Sequence, residues 1–458
     1  MENGLQSRRF TQDSVPLYFL APEVTSDLPG VIVAHGFSGS KQLMLGYGYT
    51  LARAGYGVML LDFAGHGANG QPLDSEGDAL QESLDVAFGA LLEQPSVDGR
   101  RVALLGHSMG SGAVMRAGIE RPDRYQAVIA VSPTGADVSE TSPPNLMLQA
   151  GSLEGRFVDN ALALLSDAGG PNVDFESGRA RTFEEIANVE HITILFSPAS
   201  QDLAIDWLSR TFGLANTAGY RDTRIAWYGL HALGWLSLAL ALKPLLSSTE
   251  ANGRRRSTRR QWLGLLMGPL AATGLLALLS AWFDLSGFLG LLVGGALAIW
   301  LLVFGGVWLG LGFRPAAPAF RSLLWGVGLF LLLWLALGAL AQFTWLQWFL
   351  IPARLLVWPI LVLASLPWKL AAGYAQHKGS FWRRAGWWLG QSLILVAGLV
   401  LTASVVPGMF VLILVAPALP LVLAVESLAG SAFDDPWAYG LGSALFFGWL
   451  IAALFPLA

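Results

Sequence analysis

The sequence contains no cysteine among its 458 residues, and charged residues make up only 13% of the chain. Without cysteine the chain can be neither a disulfide scaffold nor a thiol enzyme, and it cannot hold a cysteine-based zinc site. Because hydrophobic residues reach 54%, a disordered protein is also excluded. The formal net charge is −4, and no phosphate-binding glycine loop, metal-ligand cluster or nucleic-acid patch is visible. The sequence therefore predicts no cofactor, no metal and no nucleic-acid partner.

The charge is unevenly divided between the two halves of the chain. Residues 1–250 hold 16 Lys and Arg against 28 Asp and Glu, whereas residues 251–458 hold 12 against 4. The second half also holds 15 of the 18 tryptophans. This division predicts a water-soluble domain at 1–215 and a transmembrane domain at 216–458.

The transmembrane prediction follows from long apolar stretches, since a helix needs about 20 mostly apolar residues to cross the hydrocarbon core. From Thr223 onward the sequence has eight such stretches. Together they predict an all-α bundle in the cell membrane, with the lipid bilayer as partner. Only Pro407 and Gly408 separate the sixth stretch from the seventh, so these two can also form one broken unit. The stretches are 223–247, 261–282, 287–312, 322–350, 352–373, 386–406, 409–427 and 438–457.

Basic residues in the connecting loops predict the orientation of this bundle, because such loops are retained in the cytoplasm. Eleven basic residues fall in the loops of one side and only Arg354 in those of the other. If 223–247 spans, the soluble domain lies outside, although Met1–Leu20 has no apolar core of signal-peptide length. That arrangement calls for a further membrane helix upstream, whereas a cytoplasmic domain requires 223–247 to lie on the membrane surface. Both remain open, and the outer location is slightly favoured.

The membrane half has few residues suited to transport. From residue 261 onward no Asp, Glu, Arg or His is expected in the middle of a span, and the acidic residues Asp284, Glu426, Asp434 and Asp435 are expected at span ends. Proton relays and ion sites are normally built from such residues. An anchor that also admits lipid substrates is therefore favoured over a transporter.

The soluble half alternates apolar runs with helical patterns, which is typical of a parallel sheet wrapped by helices. Strands are predicted at 30–34, 57–62 and 101–105. The third is followed by Gly106-His107-Ser108-Met109-Gly110 and then by a helical run. This G-x-S-x-G pattern between a strand and a helix indicates a nucleophilic serine, Ser108.

Three segments of this half carry a resemblance to the α/β-hydrolase superfamily over roughly 14–215: AHGFSGS at 34–40, LDFAGHG at 61–67 and LLGHSMGSG at 104–112. The dienelactone-hydrolase-like and oligopeptidase-like branches are the most similar. The resemblance implies an oxyanion hole formed by the backbone N–H groups of Phe37 and Met109. His66 and His107 are interpreted as structural parts of their turns.

A nucleophilic serine needs a histidine base and an acid that orients it, and in this fold the order is serine, acid, histidine. One assignment takes Glu154 after a strand at 145–150, and His191 after a strand at 181–189. The other takes Asp202 after a strand at 192–196, with His231, and leaves 133–190 as a lid. The first is favoured, because Asp202 falls within an amphipathic helix and His231 within an apolar stretch.

These features predict a membrane-anchored serine hydrolase that cleaves carboxylic esters through an acyl-enzyme. Its substrate is expected to be an ester-type small molecule, a lipid or another acyl-chain compound. A serine peptidase or thioesterase would use the same residues, and a lipid-handling or transport protein with a non-catalytic domain is the further alternative.

Overall fold

The computed structural model describes residues 4–23, 26–74, 78–215, 219–246, 253–346 and 351–458. These residues form two compact units. The first comprises the described parts of Met1–Ile225 and Gln342–Phe349, and the second those of Ala226–Ala341 and Leu350–Ala458. Residues 342–346 thus belong to the first unit, although in sequence they lie within the stretch predicted to cross the membrane.

The first unit is built on a single sheet. Its strands among the described residues are β1 (Leu5–Gln12), β2 (Val15–Pro22), β3 (Leu28–Ala34), β4 (Gly57–Leu61), β5 (Val97–His107), β6 (Ala127–Val131), β7 (Leu146–Gly151) and β8 (Arg181–Ile186). Their order is β1-β2-β4-β3-β5-β6-β7-β8. β1 and β2 pair antiparallel at one edge, and β2 is antiparallel to β4, whereas the six strands from β4 to β8 are parallel.

Helices cover both faces of this sheet. They are α1 (Leu45–Arg53), α2 (Ala79–Leu92), α3 (Met109–Glu120), α4 (Gly155–Asp167) and α5 (Pro198–Phe212). Successive strand side chains point to opposite faces, so Val31 and Val33 pack in the core shared with α1 and α5. Ile32 and Ala34 pack in the core shared with α2, α3 and α4. The α/β-hydrolase fold expected for this half is confirmed.

The parallel strands bring four connections to the same edge of the sheet, because the carboxyl ends of parallel strands lie together. These are the turns that follow β3, β5, β7 and β8, and each holds at least one residue singled out from the sequence.

The second unit is helical, as expected for the C-terminal half. Its helices in the described residues are α6 (Arg224–Leu242), α7 (Thr258–Ser280), α8 (Gly294–Gly312), α9 (Phe320–Leu333), α10 (Ala339–Thr344), α11 (Pro352–Gln376), α12 (Phe381–Val405), α13 (Val411–Val415), α14 (Leu419–Phe433) and α15 (Pro436–Leu454). A π-helical turn joins α9 to α10, the end of which belongs to the first unit. α11 packs against α15 and α8, and α7 packs against α8.

Eight helices of the described residues are long and apolar enough to cross a membrane. They are Arg224–Leu242, Thr258–Ser280, Gly294–Gly312, Phe320–Thr344, Pro352–Gln376, Phe381–Val405, Val411–Phe433 and Pro436–Leu454, and we number these candidate spans from one to eight. Length and composition are compatible with a multi-pass membrane region.

The expectation that Glu426 lies at the end of its span is wrong. Glu426 lies well inside α14, is fully buried, and pairs with the equally buried Lys369 of α11 at 2.6 Å between Nζ and Oε2. Arg354 is also buried, and its guanidinium donates to the carbonyl oxygen of Phe455 at 2.6 Å. Charges inside a bilayer are costly unless paired in this way, so the interior of this unit is less apolar than the sequence suggested.

Candidate active site

Ser108 occupies a sharp turn between the last residue of β5 and the first residue of α3. Its backbone is in the left-handed half of conformational space, with φ 52° and ψ −120°, and its N–H donates to the carbonyl oxygen of Val131 at 2.9 Å. The two glycines of this turn, Gly106 and Gly110, have no room for a side chain. A Cβ on Gly106 would lie 2.2 Å from the carbonyl oxygen of Gly110, and one on Gly110 would lie 2.5 Å from that of His35. Both glycines of the G-x-S-x-G pattern are therefore required by close backbone contact.

The side chains of Ser108, His191 and Glu154 form a continuous hydrogen-bonded chain. His191 Nε2 lies 3.0 Å from Ser108 Oγ, and His191 Nδ1 lies 2.8 Å from Glu154 Oε2. All three residues are at most 8% exposed. With Nδ1 carrying the proton, the imidazole donates to the carboxylate and accepts from the serine hydroxyl. This arrangement suits Nε2 to remove the serine proton.

The second oxygen of Glu154 is held in place from two directions. Oε1 accepts from the hydroxyl of Ser132 at 2.7 Å and from the backbone N–H of Gly151 at 2.6 Å. Gly151 ends β7, and Ser132 follows β6. The carboxylate is therefore fixed by two neighbouring strand ends, which orients it toward His191.

His191 is held on its backbone and on its ring. His107 Nε2–H donates to the carbonyl oxygen of His191 at 2.9 Å, and Phe157 stacks on the His191 ring with 4.4 Å between centroids. Burial, together with the neighbouring His191, lowers the pKa of His107 well below its usual value. His107 is thus a neutral donor that anchors the loop after β8.

The loop after β3 lies against the Ser108 turn. Gly39 N–H donates to the carbonyl oxygen of Gly36 at 3.0 Å, which closes a tight turn with Phe37 and Ser38 at its centre. A Cβ on Gly36 would lie 3.0 Å from Ser108 Cβ. In the described chain the amide N–H groups of Phe37 and Met109 have no hydrogen-bond partner. Both amides are therefore available as donors, and their part in an oxyanion hole stays a prediction.

Buried polar contacts tie this loop to the turn after β4. His35 Nδ1–H donates to Gly36 at 2.8 Å, and His35 Nε2 accepts from the N–H of Phe63 at 3.1 Å. Lys41 pairs with Asp62, and both side chains are buried. Burial lowers the pKa of His35 and that of Lys41, although the Asp62 carboxylate opposes the effect in each case. These contacts hold the base of the loop, where Gly36 lies against the Ser108 turn.

The alternative acid and base have other partners. Asp202 lies on α5 and pairs with Arg221 at 2.5 Å, whereas His231 lies on α6 and contacts the carbonyl oxygen of Leu335 through Nε2 at 2.8 Å. The strand that this alternative requires at 192–196 is a 3₁₀ helix, Thr193–Phe196. Residues 133–190 contain β7, α4 and β8, so they are part of the sheet and its covering helices.

Trp345 is a residue of the first unit that no sequence pattern connects with the site. Its indole Nε1–H donates to the carbonyl oxygen of Ser38 at 2.8 Å, and the hydroxyl of Ser40 donates to the Trp345 carbonyl oxygen. The ring packs against the core shared with α1 and α5. Because 307 positions separate Trp345 from Ser38, only the folded chain reveals the contact. Ser132 and Phe157 were missed for the same reason, since Ser132 contacts Glu154 and Phe157, on α4, contacts His191, and both contacts join residues distant in sequence.

Comparison with known proteins supports this description of the first unit. A family model described as "Serine aminopeptidase, S33" matches residues 29–194, a range that includes Phe37, Ser108, Glu154 and His191. A bis(hydroxyethyl) terephthalate hydrolase of Streptomyces coelicolor is 30% identical over 198 residues, which are 41% of this chain and 59% of that protein. Cutinase 1 of Thermobifida cellulosilytica is 26% identical over 137 residues, covering 28% of this chain and 49% of that protein.

The chain therefore spans about half to three fifths of the length of these curated relatives. Among solved structures, the esterase Est22 aligns with a TM-score of 0.35 at 16% identity, over 46% of this chain and 82% of that one.

Proposed function

We propose, on the premise that residues 29–194 belong to an α/β-hydrolase domain, that this chain is a membrane-anchored serine hydrolase of carboxylic esters. The observation that carries the proposal is the hydrogen-bonded chain from Ser108 Oγ through His191 to Glu154. The similarity to a terephthalate ester hydrolase and to a cutinase supports an ester as the substrate.

In the proposed reaction Ser108 Oγ attacks the ester carbonyl carbon while His191 Nε2 takes its proton. The negative charge that develops on the carbonyl oxygen is bound by the N–H groups of Phe37 and Met109, and Glu154 stabilises the imidazolium. Collapse of the tetrahedral intermediate expels the alcohol, which receives the proton from His191. Water then attacks the acyl-enzyme, again giving a proton to His191, and the carboxylic acid leaves with Ser108 restored.

The test is hydrolysis of p-nitrophenyl esters of increasing acyl length by the detergent-solubilised full chain. We expect Ser108→Ala to lower kcat by at least about a thousandfold, because nucleophile removal leaves only binding and oxyanion stabilisation. Ser166→Ala is the matched control, since Ser166 is an exposed residue of α4. Equal rates for the wild type and Ser108→Ala at every chain length would overturn the proposal.

The same assay separates the two candidate acids. Glu154→Gln keeps the size of the side chain but removes the charge that stabilises the imidazolium, so we expect kcat to fall about a hundredfold or more. Asp202→Asn removes a carboxylate that pairs with Arg221 on the surface, and we expect little change. The opposite pattern would assign the acid to Asp202.

We further propose that the hydrolase domain lies on the outer side of the membrane. Candidate spans one to four lie between α5 and Trp345, and Trp345 contacts Ser38 within the first unit. Four crossings return the chain to the side from which it started, whereas three, with 223–247 on the surface, would separate the two residues. Because the basic loops after spans one, three and five are expected in the cytoplasm, this even number of crossings supports an outer domain.

A membrane-embedded second unit in turn favours a lipid or acyl-chain ester as the substrate.

A serine aminopeptidase is the second candidate, favoured by the description of the matching family model. It would use the same three residues, with an amine instead of an alcohol as leaving group. Aminoacyl p-nitroanilides, assayed beside the esters, distinguish the two. Turnover of the anilides at rates above those of the esters, lost in Ser108→Ala, would favour the peptidase.

A further inference from the structure

We infer that Trp345 is a positioning residue for the oxyanion loop, acting on the amide of Phe37 through the backbone of Ser38. The inference rests on the proposed function, because it assigns to Trp345 a part in stabilising the transition state of ester hydrolysis. It also makes Trp345, which directly follows candidate span four, a working part of the proposed hydrolase site.

The turn that holds Phe37 is one that needs support. Ser38 follows Phe37 with φ 58°, in the left-handed region that is costly for a residue with a side chain. The carbonyl oxygen of Gly36, which shares a peptide unit with the Phe37 N–H, accepts from Gly39 N–H and from His35 Nδ1–H. A strained turn persists when the surrounding structure fixes it, so the contacts of Ser38 hold the other side of the turn that carries the Phe37 amide.

Trp345 supplies this contact at two points. Its indole N–H holds the Ser38 carbonyl oxygen at 2.8 Å, and its own carbonyl oxygen accepts from the hydroxyl of Ser40. The two bonds involve Ser38 and Ser40, the residues on either side of Gly39, so Trp345 alone bridges this part of the loop. Rotation of the Ser38 carbonyl away from its present direction would break the first bond.

The position of Trp345 is itself well determined. The ring is half-buried and packs against the core shared with α1 and α5, and the following residue, Leu346, is 3% exposed. Trp345 lies directly after α10, at the end of candidate span four. The hydrolase site thus takes one of its supports from the C-terminal half of the sequence.

The test is Trp345→Phe in the full chain, because phenylalanine keeps an aromatic ring but has no N–H to donate. Trp358→Phe is the matched control: Trp358 Nε1–H donates to the carbonyl oxygen of Leu445 at 3.0 Å in the second unit, so the same kind of bond is lost away from the site. Rates are divided by the fraction of active enzyme, measured by titration with a fluorophosphonate that labels Ser108.

We expect Trp345→Phe to lower kcat about five- to thirtyfold with KM nearly unchanged, since removal of a whole oxyanion donor costs about a hundred- to a thousandfold. The inhibition constant of a trifluoromethyl ketone, whose adduct with serine carries an oxyanion, should rise by a similar factor. Trp358→Phe should change neither quantity. A purely structural role would instead reduce the titratable fraction and leave kcat per active site and ketone affinity unchanged, and that result would overturn the inference.

The outcome is distinguishable from failure of the proposed function. If Ser108→Ala abolishes ester hydrolysis while Trp345→Phe behaves like Trp358→Phe, the hydrolase stands and the positioning role is wrong. If the wild type cleaves no ester, ketone binding and fluorophosphonate labelling still report on the oxyanion loop in both variants. Equal ketone affinity in the two variants would then overturn the role as well.

Discussion

His107 directly precedes Ser108 and supports the candidate site through the backbone of a distant residue. Its Nε2–H holds the carbonyl oxygen of His191, 84 positions away in sequence. The imidazole is buried, and its pKa lies well below its usual value because burial disfavours the charged form. A neutral His107 ring also places no charge against the ring of His191, which lies 4.7 Å away between centroids.

A pH dependence of stability follows from this burial. An unfolded histidine has a pKa of about 6.5, so below that pH the unfolded chain takes up a proton at position 107 that the folded chain does not. Stability is therefore lost as the pH falls below about 6.5, by about 1.4 kcal/mol per pH unit for one such group. We expect His107→Gln, which keeps an N–H donor but cannot titrate, to show a smaller loss between about pH 7 and 5.5.

The measurement is the temperature at which half of the esterase activity survives a fixed incubation at each pH, assayed afterwards at one common pH. His35 is also buried with a lowered pKa, so part of the acid sensitivity should remain in His107→Gln. An identical decline in the variant and the wild type would show that position 107 does not contribute.

At this scale the sequence predicted part of the candidate site. Chain order and strand ends pointed to Glu154 and His191, and the structure places His191 within hydrogen-bond distance of both Glu154 and Ser108. Whether they are the catalytic acid and base stays a prediction. Ser132 could not be predicted, because its bond to Glu154 depends on how β6 and β7 align in the sheet.

Among the elements, the turn between β5 and α3 is closely packed. The Cβ of an alanine at Gly110 would lie 2.5 Å from the His35 carbonyl oxygen and 2.8 Å from that of Ala34. Those oxygens belong to the end of β3 and to the start of the loop that follows it, so relief of the clash would separate the serine turn from that loop.

We therefore expect Gly110→Ala to destabilise the first unit by about 1–3 kcal/mol, as overpacking does, and to lower kcat. Gly89→Ala is the matched control: Gly89 lies within α2, and a Cβ there would meet no atom within 4 Å. Alanine in a helix interior is favourable, so this variant should be neutral or more stable by about 0.4–1 kcal/mol. Thermal inactivation and kcat of both variants test the pair, and a Gly110→Ala protein as active as Gly89→Ala would contradict the expectation.

Elements with a strong local pattern were predicted best. The apolar runs at 30–34, 57–62 and 101–105 fall on β3, β4 and β5, because buried parallel strands are apolar on both faces. β1 was not predicted: it is an edge strand with mostly exposed polar residues. The apolar run at 192–196, a strand in one of the two assignments, is a 3₁₀ helix because it leads directly into α5, whose N-cap Ser197 follows it.

In the whole molecule the uneven charge of the two halves matches two units of different composition. The mostly parallel sheet lies in the acidic half, and seven of the eight candidate spans lie in residues 251–458, the half that is rich in tryptophan. Hydropathy could identify the spans, but it could not show that Lys369 and Glu426 are paired inside the second unit. Nor could it show that residues 342–346 belong with the first unit, since that depends on contacts between distant parts of the chain.

The proposed sidedness can be tested directly, because the chain has no cysteine of its own. Ser166→Cys places one thiol on exposed α4 of the hydrolase domain, and Ala317→Cys places one in the exposed basic loop between α8 and α9. With four crossings between α5 and Trp345, a membrane-impermeant maleimide should label Ser166→Cys in intact cells, and Ala317→Cys only after lysis. The unsubstituted chain should not be labelled in either state. Labelling of Ala317→Cys alone in intact cells would place the hydrolase domain in the cytoplasm. Because Trp345 contacts Ser38, the loops after spans one, three and five would then have to face outward, against the orientation that their positive charge predicts.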